Sequence, residues 1–182
     1  NSTWSSWQRS SLIRPSAQDG YILGYLPDNL TATGSTRNYG SVVCINGEGN
    51  TIAMSSHFEN KVYIFGADGV GGWVQRQTIP YNKPTADTFS SCMAFNGKTL
   101  LVGAPTYDIP NPTRTDVGHA YLYREISGVF TMVTEIVVPN PTQNGLFGQT
   151  LAVSRDGTYG VVGCKYTATS GFQTSLYKLT DT

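Results

Sequence analysis

The sequence predicts an all-β chain organised as three four-stranded antiparallel sheets. Three observations lead there. One grammar of aromatic, strand, Gly-bearing turn and strand occurs three times, about 57 residues apart: Trp73 recurs as Phe130, and Phe89 as Phe147. The apolar runs are short and alternate with polar residues, and no segment shows helical periodicity. The first strand-like segment has no unit of its own, while the last unit lacks a fourth strand.

The elements follow in chain order. WQRSSLI (7–13) has an aromatic, a polar alternation and an Ile six residues on, which is the form of WVQRQTI (73–79) and FTMVTEI (130–136). It is predicted to be a fourth strand that completes the last sheet. The paired first and second strands of the units are expected within Tyr39–Ser56, Phe89–Pro105 and Phe147–Lys165. Their turns are Asn46-Gly47-Glu48-Gly49-Asn50, Asn96-Gly97-Lys98 and Ser154-Arg155-Asp156-Gly157, and Asn-Gly or Asp-Gly between apolar runs is a strong hairpin signal. Third strands are KVYIF (61–65), HAYLYR (119–124) and SLYKL (175–179), each with a Tyr in an alternating pattern. The result is a single domain over 1–182, with units at about 39–79, 89–136 and 147–179 plus 7–13.

Composition bounds the partners. Apolar residues are 39% of the chain and charged ones only 13%, about half the usual share. Ser, Thr, Asn, Gly and Tyr make the surface polar without making it ionic, which suits an extracellular or particle-surface setting. Twelve basic residues balance twelve acidic ones, and no basic run exists to meet phosphates, so nucleic acid is excluded as a partner. No apolar segment approaches the length that spans a membrane. The chain begins at Asn1 without Met or a signal-like region, as a mature or excised piece would. Cys44, Cys92 and Cys164 have no metal-ligand spacing and are read as small buried apolar residues, with a Cys44–Cys92 bridge as the lesser alternative. Asn29-Leu30-Thr31 fits a glycosylation sequon, making Asn29 the candidate acceptor; Asn1-Ser2-Thr3 fits it too.

The units resemble FG-GAP repeats, the blades of integrin α-subunit-like β-propellers. Both naming motifs stand here literally, as Phe147-Gly148 and Gly103-Ala104-Pro105. Degenerate forms of the first are Tyr39-Gly40 and Phe89-Ser90; those of the second are Met54-Ser55-Ser56 and Gly163-Cys164-Lys165. GGWVQRQTI is similar to the Trp-bearing strand of bacterial forms of the repeat. The resemblance covers residues 39–179 and the N-terminal strand. It implies a propeller or prism of three blades, with the N-terminal strand closing the last. Many FG-GAP blades hold calcium in an acidic loop between their first two strands. Here those loops are short and carry at most one acid, so no metal and no cofactor is expected. Propellers usually have about four to eight blades. Three sheets closed around a tight axis, two chains forming a six-bladed ring, and a piece of a longer chain all remain open; the matched ends favour a self-contained unit.

Strand alternation puts the loops after second and fourth strands on one face, and these are the long ones: 14–38, 80–88, 106–118, 137–146 and 166–174. Within 14–38, YILGYLPDN (21–29) is too apolar for a free loop, so it either caps the core or docks a partner. Candidate ligand-binding residues on this face are Tyr21, Tyr25, Arg37, Tyr81, Tyr107, Asp108, Arg114, Asp116, Tyr166 and Phe172. Aromatic planes beside polar forks suit sugar rings or protein partners.

No catalytic constellation is recognised. His57 and His119 are the only histidines and are read as structural or surface residues. Glu48, Glu59, Glu125 and Glu135 form no acid pair. The expectation is therefore a non-enzymatic recognition module. It would bind a cell-surface glycan or protein receptor in adhesion or receptor binding, with a viral or phage spike domain as the specific version, and a homo-oligomer would supply avidity. A structural module docking onto neighbouring subunits is the alternative, and a hydrolase with a pocket on the axis is the third.

Overall fold

A computed structural model describes residues 39–56, 59–70, 72–83, 87–111, 113–165 and 172–179. The first unit is one sheet of β1 (Tyr39–Ile45), β2 (Thr51–Ser56), β3 (Lys61–Ala67) and β4 (Trp73–Pro80), in that order. The second unit contributes β5 (Cys92–Asn96), β6 (Thr99–Ala104), β9 (His119–Ile126) and β10 (Val129–Val137), ordered β10-β9-β6-β5. Between β6 and β9 a two-stranded ribbon, β7 (Ile109–Pro110) and β8 (Thr113–Arg114), occupies the long loop. The third sheet is β11 (Thr150–Val153), β12 (Tyr159–Lys165) and β13 (Phe172–Lys178). All pairings are antiparallel, and no helix occurs among the described residues.

The chain is thus all-β, in several antiparallel sheets. Three four-stranded sheets are not what is seen: the described strands give four, four and three. Residues 7–13, expected as the missing strand, lie outside the described residues.

The units stack through their first strands, β1 against β5 and β5 against β11. On β5, Met93 and Phe95 bury towards Val42 and Cys44 of β1. On β11, Leu151 and Val153 pack, as Ala94 of β5 does, against the core that includes Leu101 and Val162. The middle sheet is therefore covered on both sides. Leu100 and Val102 of β6 join the core shared with the first unit, and Leu101 joins the core shared with the third. This is why TLLVGA is buried at every position and reads as an unbroken apolar run. Each of those Leu side chains contributes about 1.5–3 kcal/mol by its burial.

The aromatic-small pairs of the second and third units precede their strands as buried anchors, whereas Tyr39-Gly40 begins β1 itself. Phe89 and Phe147 are fully buried, and the residue after each aromatic has positive φ: Gly40 73°, Ser90 69°, Gly148 89°. The N–H of that residue donates across its own unit, Ser90 to the Gly103 carbonyl at 2.9 Å and Gly148 to the Gly163 carbonyl at 3.1 Å. Gly103 and Gly148 also meet each other. A Cβ on Gly103 would lie 2.2 Å from the Gly148 carbonyl oxygen. The two glycines stand where the second and third units approach too closely for a side chain.

The cysteines are free. Cys164 is buried, while Cys44 and Cys92 are half-buried, and the Cys44 thiol donates weakly to the Met93 carbonyl at 3.4 Å.

Candidate functional site

β4 runs into a loop carrying Tyr81, Lys83 and Asp87. β10 is the outer strand of the neighbouring sheet, and Glu135 lies near its end. Gln77 of β4 bridges the two strands: its amide nitrogen donates to the Phe130 carbonyl at 2.8 Å, and its oxygen accepts from the Phe130 N–H at 2.7 Å. Above this bridge a cleft of about 410 Å³ opens, lined by Ile79, Tyr121, Tyr123, Phe130, Lys83 and Glu135 among others. That volume suits a small molecule.

The polar groups gather at one end. Lys83 Nζ reaches both Glu135 oxygens at 2.8 Å and lies over the rings of Tyr107 (4.9 Å) and Tyr121 (5.6 Å). Both members of the pair are about one-third exposed, so it remains in contact with the cleft. Burial pulls the Lys83 pKa down, but the Glu135 hydrogen bond and the surrounding oxygens outweigh it, and the ammonium is held above its ordinary value. Behind the pair sits His119, 7% exposed and stacked on Tyr107 at 3.7 Å between ring centroids. Its Nδ1 is buried without a hydrogen-bond partner, 3.7 Å from Glu135 Oε2. Burial, and then the charge of Lys83, push His119 down to about 4, so it is neutral at neutral pH. Tyr81 donates to the buried Asp87 carboxylate at 2.6 Å, and its oxygen lies 3.3 Å from the Tyr121 hydroxyl. Burial together with the Asp87 bond raises the Tyr81 pKa far above its ordinary value. Tyr81 therefore serves as a fixed hydroxyl. A neutral imidazole, a carboxylate, an ammonium and ordered phenols converge here, the groups general acid–base chemistry requires.

Of the residues expected to bind a ligand, Tyr81 and Tyr107 are brought together at this site. Asp108, Arg114 and Asp116 instead build their loop. Asp108 accepts from the Asp116 N–H at 2.7 Å, and Arg114 donates to the Pro141 carbonyl at 2.5 Å. Phe172 is the first residue of β13. Tyr21, Tyr25, Arg37, Tyr166 and the sequon Asn29 lie outside the described residues. Lys83, Asp87, Tyr121 and Glu135 were not singled out as site residues from sequence, and His119 was read as structural. Among the described residues no group of three or more His, Cys, Asp or Glu could hold a metal ion.

No protein-family model matches the chain, and no curated protein matches it. Solved structures do. A provisionally assigned 6-phosphogluconolactonase of Bacteroides uniformis matches with a TM-score of 0.44 at 16% identity over 75% of this chain. The periplasmic gluconolactonase of Pseudomonas aeruginosa matches with 0.41 at 13% identity over 77%. The chain spans 40% of the length of each. Both bear the names of enzymes, and on that finding the expectation of a non-enzymatic recognition module for a surface receptor is corrected. Likeness at this level transfers neither activity nor substrate to this chain.

Proposed function

We propose that the cleft between β4 and β10 is a small-molecule active site for ester hydrolysis by general acid–base catalysis. The observation that supports it is the pairing of Lys83 and Glu135 in the lining of an aromatic cavity, with the neutral His119 behind Glu135 and its Nδ1 without a hydrogen-bond partner. In this reading Glu135 takes a proton from water, the hydroxide oxygen bonds to the ester carbonyl carbon, and Lys83 holds the oxygen that becomes negative. As the tetrahedral adduct collapses, the ester C–O bond breaks and Glu135 returns the proton to the leaving oxygen. His119 stays neutral behind Glu135, so no second positive charge weakens the carboxylate as a base. The aromatic lining orients an apolar or hydroxylated ring by its face.

The test is turnover on a panel of p-nitrophenyl and cyclic esters. Wild type should hydrolyse at least one member, and Glu135→Gln and Lys83→Met should each reduce kcat by about 10²-fold or more with the fold intact by circular dichroism. Equal rates in wild type and both variants would refute the assignment.

We also propose that the chain is an FG-GAP-type repeat protein in one domain, whose residues 7–13 form the fourth strand on the outer edge of β13. Support comes from the equivalent placement of β4 beside β3 and β10 beside β9. Amide exchange at β13 tests it: removal of residues 1–13 should abolish protection of the outward amides, and unchanged protection would refute it.

A further inference from the structure

Asn-Gly occurs three times, as Asn46-Gly47, Asn96-Gly97 and Asn144-Gly145. Glycine leaves the backbone nitrogen after the asparagine unhindered, so that nitrogen can attack the side-chain amide and close a five-membered imide. The fold treats the three sites differently. Asn46 is buried and its amide is held at both ends. Its Oδ1 accepts from the Asn50 and Thr51 N–H groups at 3.0 and 3.1 Å, and its Nδ2 donates to Asn50 Oδ1 at 2.7 Å. A Cβ on Gly47 would lie 2.8 Å from Asn96 Oδ1, so that turn is crowded as well. At the third site the attacking nitrogen is already engaged. Gly145 is buried, its N–H donates to the Thr142 carbonyl at 3.1 Å, and a Cβ there would meet Thr142 at 3.0 Å. Asn96 is half-buried, and among the described residues its side-chain oxygen accepts from the Gly97 N–H alone, at 3.0 Å. That bond holds the side-chain carbonyl beside the very nitrogen that would attack it. Gly97 has φ of 52°, and a Cβ on it would meet nothing within 4 Å, so space is open where the ring must form.

We propose that Asn96 is a site of spontaneous, backbone-mediated deamidation, and that the fold protects Asn46 and Asn144 from the same reaction. Hydroxide takes the Gly97 amide proton, and the nitrogen bonds to Asn96 Cγ. The Cγ–Nδ2 bond then breaks, and Nδ2 leaves as ammonia with a proton from water, which restores the hydroxide. Water opens the imide at one of its two carbonyls, giving aspartate or isoaspartate at position 96. The place of the turn gives the second product a structural consequence. Asn96 pairs with Thr99 across the β5–β6 turn. Thr99 is fully buried and donates to the Gly157 carbonyl of the third unit at 3.3 Å. It also accepts from Arg124, which donates to the carbonyls of Gly157 at 3.0 Å and Leu179 at 2.6 Å. Isoaspartate routes the backbone through Cβ and lengthens the turn by one atom. The turn that sets Thr99 is displaced, and the second and third units are joined less firmly. The inference is independent of the catalytic reading.

The experiment incubates the full chain, folded and in urea, at mildly alkaline and mildly acidic pH. Peptide mass spectrometry follows each asparagine, and labelling by an isoaspartyl methyltransferase identifies the product. In the folded chain Asn96 should react about tenfold or more faster than Asn46 and Asn144, and more slowly in acid. In urea the three sites should react at rates within about threefold of one another, because only the fold separates them. Equal rates at the three sites in the folded chain would overturn the proposal. So would a lead for Asn96 that persists undiminished in urea, since the preference would then belong to local sequence. Rates independent of pH would overturn the imide route. The isoaspartate form, separated by ion exchange, should lose amide-exchange protection at Gly157 and Leu179 while β2 and β3 keep theirs. Unchanged protection at both would refute the loosened junction.

Discussion

Alanine at Gly148 should destabilise the chain by about 2–5 kcal/mol, and two separable causes contribute. The first is conformational. Gly148 has φ of 89°, and an L-residue in the left-handed region costs about 1–2 kcal/mol. The second is steric. A Cβ there would lie 2.4 Å from the His119 carbonyl oxygen and 3.4 Å from Gly103 Cα, so backbone must move, and overpacking of this kind costs about 1–3 kcal/mol. Gly128 separates the two causes: its φ is 84°, but a Cβ there meets nothing within 4 Å. Gly128→Ala should therefore show only the first cost. Urea unfolding of both variants at unchanged m-value reads the difference, expected at about 1–3 kcal/mol. The displaced carbonyl belongs to His119, so Gly148→Ala should also lower the rate at the cleft. A Gly148→Ala cost within about 0.5 kcal/mol of the Gly128→Ala cost would refute the close-approach reasoning.

Three further outcomes are expected. His119 titrates near 4 in the native chain and near 6.5 when unfolded, so the unfolded state binds more protons between these values and stability falls as pH drops from 6.5 towards 4. About 2–3 kcal/mol should be lost by pH 4.5; His119→Gln should remove that part of the slope, and equal slopes by urea titration would exclude His119 as its source. Asn46 is 7% exposed, its oxygen accepts from the N–H groups of Asn50 (3.0 Å) and Thr51 (3.1 Å), and Asn46→Ala should cost about 2 kcal/mol in thermal unfolding by leaving them unsatisfied. Gln77→Leu removes both bonds to Phe130 and should cost about 1–3 kcal/mol while raising KM for any substrate of the cleft; an unchanged KM would place the bridge outside substrate binding.

The strands were legible because each obeys a local rule. Gly between alternating runs located the β1–β2, β5–β6 and β11–β12 hairpins, and the recurring Tyr located β3, β9 and β13. Two features were not legible. The ribbon β7–β8 has two residues per strand, too few for any periodicity. Nor was the left-handed turn after Phe89 and Phe147 legible, since Ser90 adopts it without being glycine. The long-loop face could be read from loop lengths, which put Tyr81 and Tyr107, both beside the cleft, among the candidates. The charged residues could not. Lys83 and Glu135 come from different units, and a search for repeats rewards likeness, whereas the charged residues of the cleft are departures from it. Glu135 stands where the first unit has Thr78, and His119 where it has Lys61.

That departure makes the chain its own control. The junction of the second and third units has a counterpart of the cleft, about 240 Å³ and lined by Leu122, Thr134, Ile136 and Tyr177 among others. Ile136 corresponds to Ile79 and Thr134 to Gln77, so the stacking rule that opens one opening also opens the other. Among the described residues the second has no carboxylate in its lining, and Asn140 stands at the position equivalent to Lys83. If the stacking of units alone created a binding site, a small ester or its carboxylate product would perturb both junctions. If the Lys83–Glu135 pair creates it, chemical-shift changes on titration should cluster at Gln77, Tyr121 and Phe130 and spare Thr134 and Tyr177. Equal perturbation of the two clefts would show that the fold, rather than the charged pair, selects the ligand.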